Sequence, residues 1–171
     1  MPVIITITLN QIKMKKILFS IALFVTAFLQ ESFAQDSTKT QPSPLLISYY
    51  NLKDALVSSN PTTAAVSAEE FVKALNNIDK ETIKDESRNA LLSDAGAISQ
   101  TKDLKVQRGK FATLSANMFA LAKTVKLSTE PVYQQYCPMK KASWLSSNKA
   151  IKNPYYGSAM LTCGKVTDTI N

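Results

Sequence analysis

Apolar residues recur at steps of three and four along residues 45–125, the spacing of a single helix face. Leu45, Tyr49, Leu52 and Leu56 form the first stripe, behind a proline at 44 that suits a first helical turn. Ser58-Ser59-Asn60-Pro61 breaks it, and Asn60 is placed to cap a second helix starting at Pro61. Ala64, Ala68, Phe71, Leu75 and Ile78 make the second stripe, which runs out near 76–79. A thinner set, Ile83, Ala90, Leu91, Ala97 and Ile98, predicts a third helix over 82–100. The strongest pattern begins at Asp103, with Leu104, Phe111, Leu114, Met118, Leu121 and Val125 close to a 3.5-residue period. Gly109 interrupts it at some cost in helix propensity. The connections are short, so neighbouring helices should run antiparallel. The expected fold class is mainly α, an antiparallel (up-down) four-helix bundle.

At Thr129-Glu130-Pro131 the helical rhythm stops, and residues 131–171 are rich in Tyr, Pro, Gly and Asn. This segment reads as a short irregular C-terminal cap that could include a small β-hairpin. VYQQY and AMLTCGKV suit short strands or extended arms, and Ser143 to Lys152 could hold one helical turn. Asn153-Pro154-Tyr155-Tyr156-Gly157 is a turn by composition.

The N-terminus adds a destination. Lys13, Lys15 and Lys16 precede an apolar run from Ile17 to Leu29, and Ser32 and Ala34 offer a small-x-small site before Gln35. That order describes a secretory signal peptide. The run is shorter than the roughly 20 residues that span a bilayer, so no membrane association is expected after cleavage. Met14 is a more natural start for such a signal than Met1, which makes residues 1–34 an N-terminal extension plus signal. Residues 35–43 then read as a flexible leader and 44–171 as a single helical domain.

Cleavage would leave 171 − 34 = 137 residues with 20 − 3 = 17 basic and 13 − 1 = 12 acidic side chains, a net charge of +5. No basic run is interleaved with aromatics, so nucleic acid is not an expected partner. The excess is local to the cap, where five lysines face one acid, Asp168. Histidine is absent from the whole chain. That removes Ser-His-Asp and Cys-His catalysis and the commonest ligand of zinc and copper(II). With four glycines and no phosphate-cradling loop, the chain does not read as an enzyme.

The cap holds both cysteines, the only tryptophan, and two of the three methionines that follow the signal. An even cysteine pair in an exported chain suits a disulfide. Joining Cys137 to Cys163, 26 residues on, would stabilise the fold by about 3 kcal/mol on the chain-entropy model. The methionines open a second reading. Cys137-Pro138-Met139 would put thiolate and thioether on one side of an extended chain. Met160-Leu161-Thr162-Cys163 would put them on one face of a helical turn or across a tight loop. A hairpin through the NPYYG turn could join the two pairs. Thiolates and thioethers without imidazole form a soft donor set, which selects copper(I) or silver(I) over zinc, calcium or magnesium. Lys140 and Lys141 would offset the negative charge of two thiolates on one monovalent ion. Met118 reads as core, and Trp144, Tyr155 and Tyr156 as residues that pack the cap onto the helices.

CPM, then WLS, then I-x-NPYYG-x-x-ML-x-CG resembles the C-terminal signature of an uncharacterised bacterial periplasmic domain. Such domains occur alone after a signal peptide or fused to periplasmic adaptor subunits of copper/silver efflux systems. YYNLKDALV, LKVQRGKFATLS and VYQQYCPM extend the likeness over most of the chain beyond the signal. The resemblance implies a periplasmic heavy-metal binder with sulfur ligands at Cys137, Met139, Met160 and Cys163. Many relatives have a histidine near CPM where this chain has Gln134 and Gln135, which implies an all-sulfur site here.

The expected function is binding of Cu(I), with Ag(I) as a substitute, for sequestration or for delivery to a periplasmic efflux adaptor or another copper protein. The alternative is a helical protein-interaction module whose cap is stapled by a Cys137–Cys163 disulfide.

Overall fold

The computed structural model describes residues 42–171. The expected signal segment at 1–34, the first seven residues of the leader expected at 35–43, and the choice between Met1 and Met14 lie outside the described residues.

Four α-helices come first: α1 (Pro44–Val57), α2 (Pro61–Asn76), α3 (Asp85–Ser99) and α4 (Leu104–Ala122). Each of the two prolines fills a first-turn position where its missing N–H costs nothing. Side-chain caps hold three N-termini. Ser43 accepts the Leu46 N–H, Asn60 the Thr63 N–H, and Asp103 those of Lys105 and Val106. The third helix is shorter than the 82–100 expectation, because Lys80–Thr82 forms a separate 3-10 turn and Ile83 is extended. Its core face is Arg88, Leu91, Ala95 and Ile98, with Ala90 and Ala97 off to the side. Arg88 lies on that face because its guanidinium closes the end of α2. It donates to the carbonyls of Leu75 (2.6 Å), Ile78 (3.0 Å) and Asp79 (3.0 Å).

Consecutive helices pack on one another, burying Leu45, Leu52, Leu56, Phe71, Leu75, Leu91, Ile98, Leu114 and Met118 completely. No helix among the described residues is long and apolar enough to cross a membrane.

The cap is more regular than its composition suggested. It is a three-stranded antiparallel sheet in the order β2-β1-β3, made of β1 (Val132–Cys137), β2 (Ala142–Ser146) and β3 (Lys165–Ile170). The helical turn expected within 143–152 starts instead as strand β2. Trp144, Leu145 and Ser146 are all buried there, and extended backbone lets Trp144 and Leu145 serve opposite faces. AMLTCGKV is only partly strand. Gly157–Met160 is a 3-10 turn, and β3 begins two residues after Cys163.

Three connections seat this sheet on the helices. The Tyr49 hydroxyl of α1 accepts the Leu145 N–H at 3.0 Å and shares a 2.7 Å hydrogen bond with Ser115 of α4. A chain of rings runs from Tyr49 to Phe111 (5.3 Å), Tyr155 (6.0 Å) and Trp144 (5.9 Å). Arg108 of α4 donates to the Pro154 carbonyl (2.8 Å), the Leu56 carbonyl (2.9 Å) and Ser59 Oγ (2.9 Å), tying NPYYG to the α1–α2 turn.

Gly157 closes that turn with φ +58°, and its N–H bonds the Asn153 carbonyl at 3.0 Å. A Cβ there would meet Ser59 Oγ at 2.6 Å, Arg108 Nη2 at 2.8 Å and the Val57 carbonyl at 2.8 Å. Gly157→Ala is therefore expected to cost about 1–3 kcal/mol through left-handed strain and loss of the Arg108 clamp. Urea unfolding should show the midpoint falling. An unchanged midpoint would mean that this junction does not carry the cap.

Candidate functional site

Cys137 is the last residue of β1, opposite Ala142 of β2. Pro138 to Lys141 close the hairpin, with Lys141 in the left-handed region at φ 54°. Pro138 presets its φ and has no N–H, so the chain reverses at once. The next two amides, of Met139 and Lys140, then face the Cys137 sulfur and favour its charged form.

Cys163 arrives from the other side. Its N–H bonds the Met160 carbonyl at 3.0 Å, and Gly164 carries the chain on into β3. A Cβ at Gly164 would stand 2.9 Å from the Trp144 ring and 3.1 Å from the Tyr136 carbonyl, so only glycine lets the backbone lie this close. β3 then pairs with β1 at Tyr136↔Lys165. That register, rather than a hairpin through NPYYG, brings the cysteines together. Their sulfurs are 3.5 Å apart and both thiols are free. Cys137 is fully buried and Cys163 half-buried.

Asn153 organises both. It is completely buried, and its side-chain amide donates to the Cys163 carbonyl at 2.8 Å and faces the Cys137 sulfur. Its Oδ1 accepts the Tyr155 N–H at 2.8 Å, and its own N–H bonds the Leu161 carbonyl at 2.8 Å. The Asn-Pro pair read as a turn from composition, and the turn is there. Its second role, as a donor to a thiol, could have been sought from one signal. An asparagine opening a Tyr-rich turn in a segment with two cysteines is a polar group that burial would force to find partners.

These contacts make the two thiols unequal. Burial pushes Cys137 up, but the Lys140 N–H, the Asn153 amide, the Cys163 thiol and the Met139 N–H together outweigh it, so its pKa falls below the ordinary thiol value. Cys163 moves the other way: its hydrogen bond to Cys137 keeps its proton on, and the neighbouring charge adds to this. The pair thus holds its first negative charge on the buried sulfur and keeps a proton on the accessible one.

The methionines are placed differently from the cysteines. The chain leaves the strand at Cys137 and turns at Pro138-Met139, and Met139 is 64% exposed. Met160 is half-buried at the end of its 3-10 turn, and the chain between it and Cys163 is a tight loop. Both reach the pair through backbone: the Met139 N–H faces both sulfurs, and the Met160 carbonyl holds the Cys163 amide. Gln135 is buried and donates to the carbonyls of Asn148 (2.9 Å) and Ala150 (3.2 Å), while Gln134 accepts from Thr167. Lys140 and Lys141 are exposed beside the pair. Among the described residues no three or more His, Cys, Asp or Glu side chains gather where they could hold a metal ion.

Residues 45–130 match the model of a family described as protein of unknown function (DUF3347). The chain belongs to this family. The DUF3347 span covers the four helices and ends before β1, so Cys137, Cys163, Asn153 and Trp144 all lie beyond it. No curated protein and no solved structure matches the chain.

A lowered Cys137 pKa has a definite sign for stability. Between the folded value and the ordinary thiol value near 9.0, the unfolded chain binds more protons. The stability that Cys137 contributes therefore rises with pH across that window and is lost as pH falls through the folded value. Asn153→Ala removes one donor to the thiolate. It should move the first thiol titration, followed by thiolate absorbance, upward and flatten this rise. An unmoved titration would show that the amide does not hold the thiolate.

Proposed function

We propose that this protein is exported to the periplasm and binds a soft monovalent ion, Cu(I) with Ag(I) as a substitute, through its C-terminal cap. The role is binding and not catalysis. The observation that carries the reading is the Cys137–Cys163 pair: two free sulfurs 3.5 Å apart, one faced by three N–H donors and the other open to a ligand.

The 3.5 Å gap is slightly narrower than an ion held by both sulfurs needs. Bonds of about 2.3 Å at a tetrahedral angle set two sulfurs roughly 3.8 Å apart. A wider angle at the ion asks for a larger gap, which the half-exposed Cys163 can open by side-chain rotation. N–H donors on a thiolate stabilise its charge, and the exposed lysines beside it do so at longer range. Met160 and Met139 are the further soft donors. The exposed Met139 is free to swing on and off, which suits it to the exchange step. In this role the ion passes by ligand exchange to or from a periplasmic efflux adaptor or another copper protein, the thioethers leaving before the thiolates. The four helices, in an up-down arrangement, serve as the scaffold that seats the cap.

The alternative, a helical interaction module stapled by a Cys137–Cys163 disulfide, is favoured by the same close approach. Disulfide bonding needs the sulfurs at about 2.05 Å and an oxidant. The two readings separate in reduced protein.

Reduced protein titrated with Cu(I) against a chromophoric chelator should take up one equivalent. Trp144, the only tryptophan, should report this by fluorescence, since its ring packs against the position beside Cys163. The Cys137→Ser/Cys163→Ser double variant should lose the competition altogether, whereas Met139→Leu should weaken it by less than about tenfold. A double variant that competes as well as the parent would end the metal reading.

A further inference from the structure

Beside the thiol pair the surface dips into an open pocket of about 390 Å³, lined by Leu104, Lys105, Arg108, Lys140, Tyr155 and Tyr156. Two parts of the molecule meet there. The first turns of α4 supply Leu104, Lys105 and Arg108. The cap supplies Lys140 from the β1–β2 turn and the two tyrosines from NPYYG.

Three of these six residues are cations, and no carboxylate lines the wall. None of the three is in an ion pair: among the described residues the ion pairs are Lys53–Asp54 and Lys123–Asp168. Arg108 spends its hydrogen bonds on two carbonyls and a hydroxyl, which leave its charge uncompensated. Asp103, the carboxylate next to this segment in the chain, is turned back to cap α4. Gathering like charges in a concavity without a counter-ion focuses a positive potential on whatever enters it. The volume falls in the range of small-ligand sites, roughly 300–1,000 Å³, and the tyrosines give it flat, partly apolar walls.

The position of the pocket gives that charge a use. Lys140 belongs to both features, since it lines the pocket and sits in the turn that directly follows Cys137. Tyr155 does too, since its N–H bonds Asn153 Oδ1 at 2.8 Å and that same asparagine side chain donates to the Cys163 carbonyl at 2.8 Å. We propose that the pocket binds a small thiol bearing at least two carboxylates, of the class that carries soft ions as anionic thiolate complexes. Lys105 and Lys140 take the carboxylates, and the ligand's sulfur is presented to the Cys137–Cys163 pair. The thiol part of this assignment rests on the soft-ion reading, but the carboxylate contacts do not.

The probe is S-methylglutathione, a dicarboxylate peptide whose sulfur is blocked, added to reduced, metal-free protein at low salt. Saturable binding is expected, with amide shifts confined to residues 104–108, 138–141 and 154–156. Added salt should weaken it. Lys105→Glu/Lys140→Glu should weaken it about tenfold or more. Both lysines are exposed, so this variant should keep its urea midpoint. The blocked sulfur of the probe and the absence of metal make this readout independent of ion uptake, so a failed copper titration and a failed pocket are told apart. No saturable binding, or binding indifferent to the charge reversal, overturns the proposal. Tighter binding of a tetraglutamate peptide in competition would give the pocket to an acidic protein segment and overturn the small-ligand assignment.

Discussion

The cap depends on one buried amide. Asn153 has no contact with solvent, and a side chain of that polarity can be buried only if its donors and acceptor are engaged. Meeting that demand takes the Cys163 carbonyl, the Cys137 sulfur and the Tyr155 N–H, which belong to the three segments that form the site. Asn153 therefore links the NPYYG turn to the end of β1 and the entry to β3, which the β1–β3 pairing has already brought side by side. Arg108 and Tyr49 transmit the arrangement to the helices, by carbonyl clamp and by hydroxyl. The helices act as a seat for a polar knot, and the sulfurs lie inside it.

The asymmetry of the two thiols follows from this. Backbone amides come to Cys137 because Pro138 forces an immediate reversal, while Cys163 lies on a turn whose amide is already spent on Met160. A pair in which one sulfur is preorganised and the other accessible differs from a buried staple and from two surface thiols. In the proposed role the buried sulfur fixes where an ion sits and the accessible one governs its arrival.

Much of the helical half was legible in the chain. The stripes at 45–56, 64–75 and 104–121 are the observed core faces, and Asn60 and Asp103 cap as their side-chain chemistry suggests. The third helix was read less well because its inward face contains an arginine, which a search for apolar periodicity passes over. In the cap, the proximity of Cys137 and Cys163 was legible as a possibility but not its cause. It comes from the β1–β3 register, a long-range pairing that no local pattern encodes. Met139 was expected on the same side as Cys137 because extended geometry was assumed through a proline that makes a turn. Asn153 escaped notice as a site residue because turn chemistry and buried donor chemistry look alike in one letter of sequence.

The central claim concerns the atoms that hold the ion, so the most direct measurement is copper-edge X-ray absorption on reduced protein loaded with one equivalent of Cu(I). The account predicts a first shell made of sulfur alone, lost when Cys137 and Cys163 are both replaced by serine. A first shell of nitrogen or oxygen, or a sulfur shell that survives the double replacement, would contradict it.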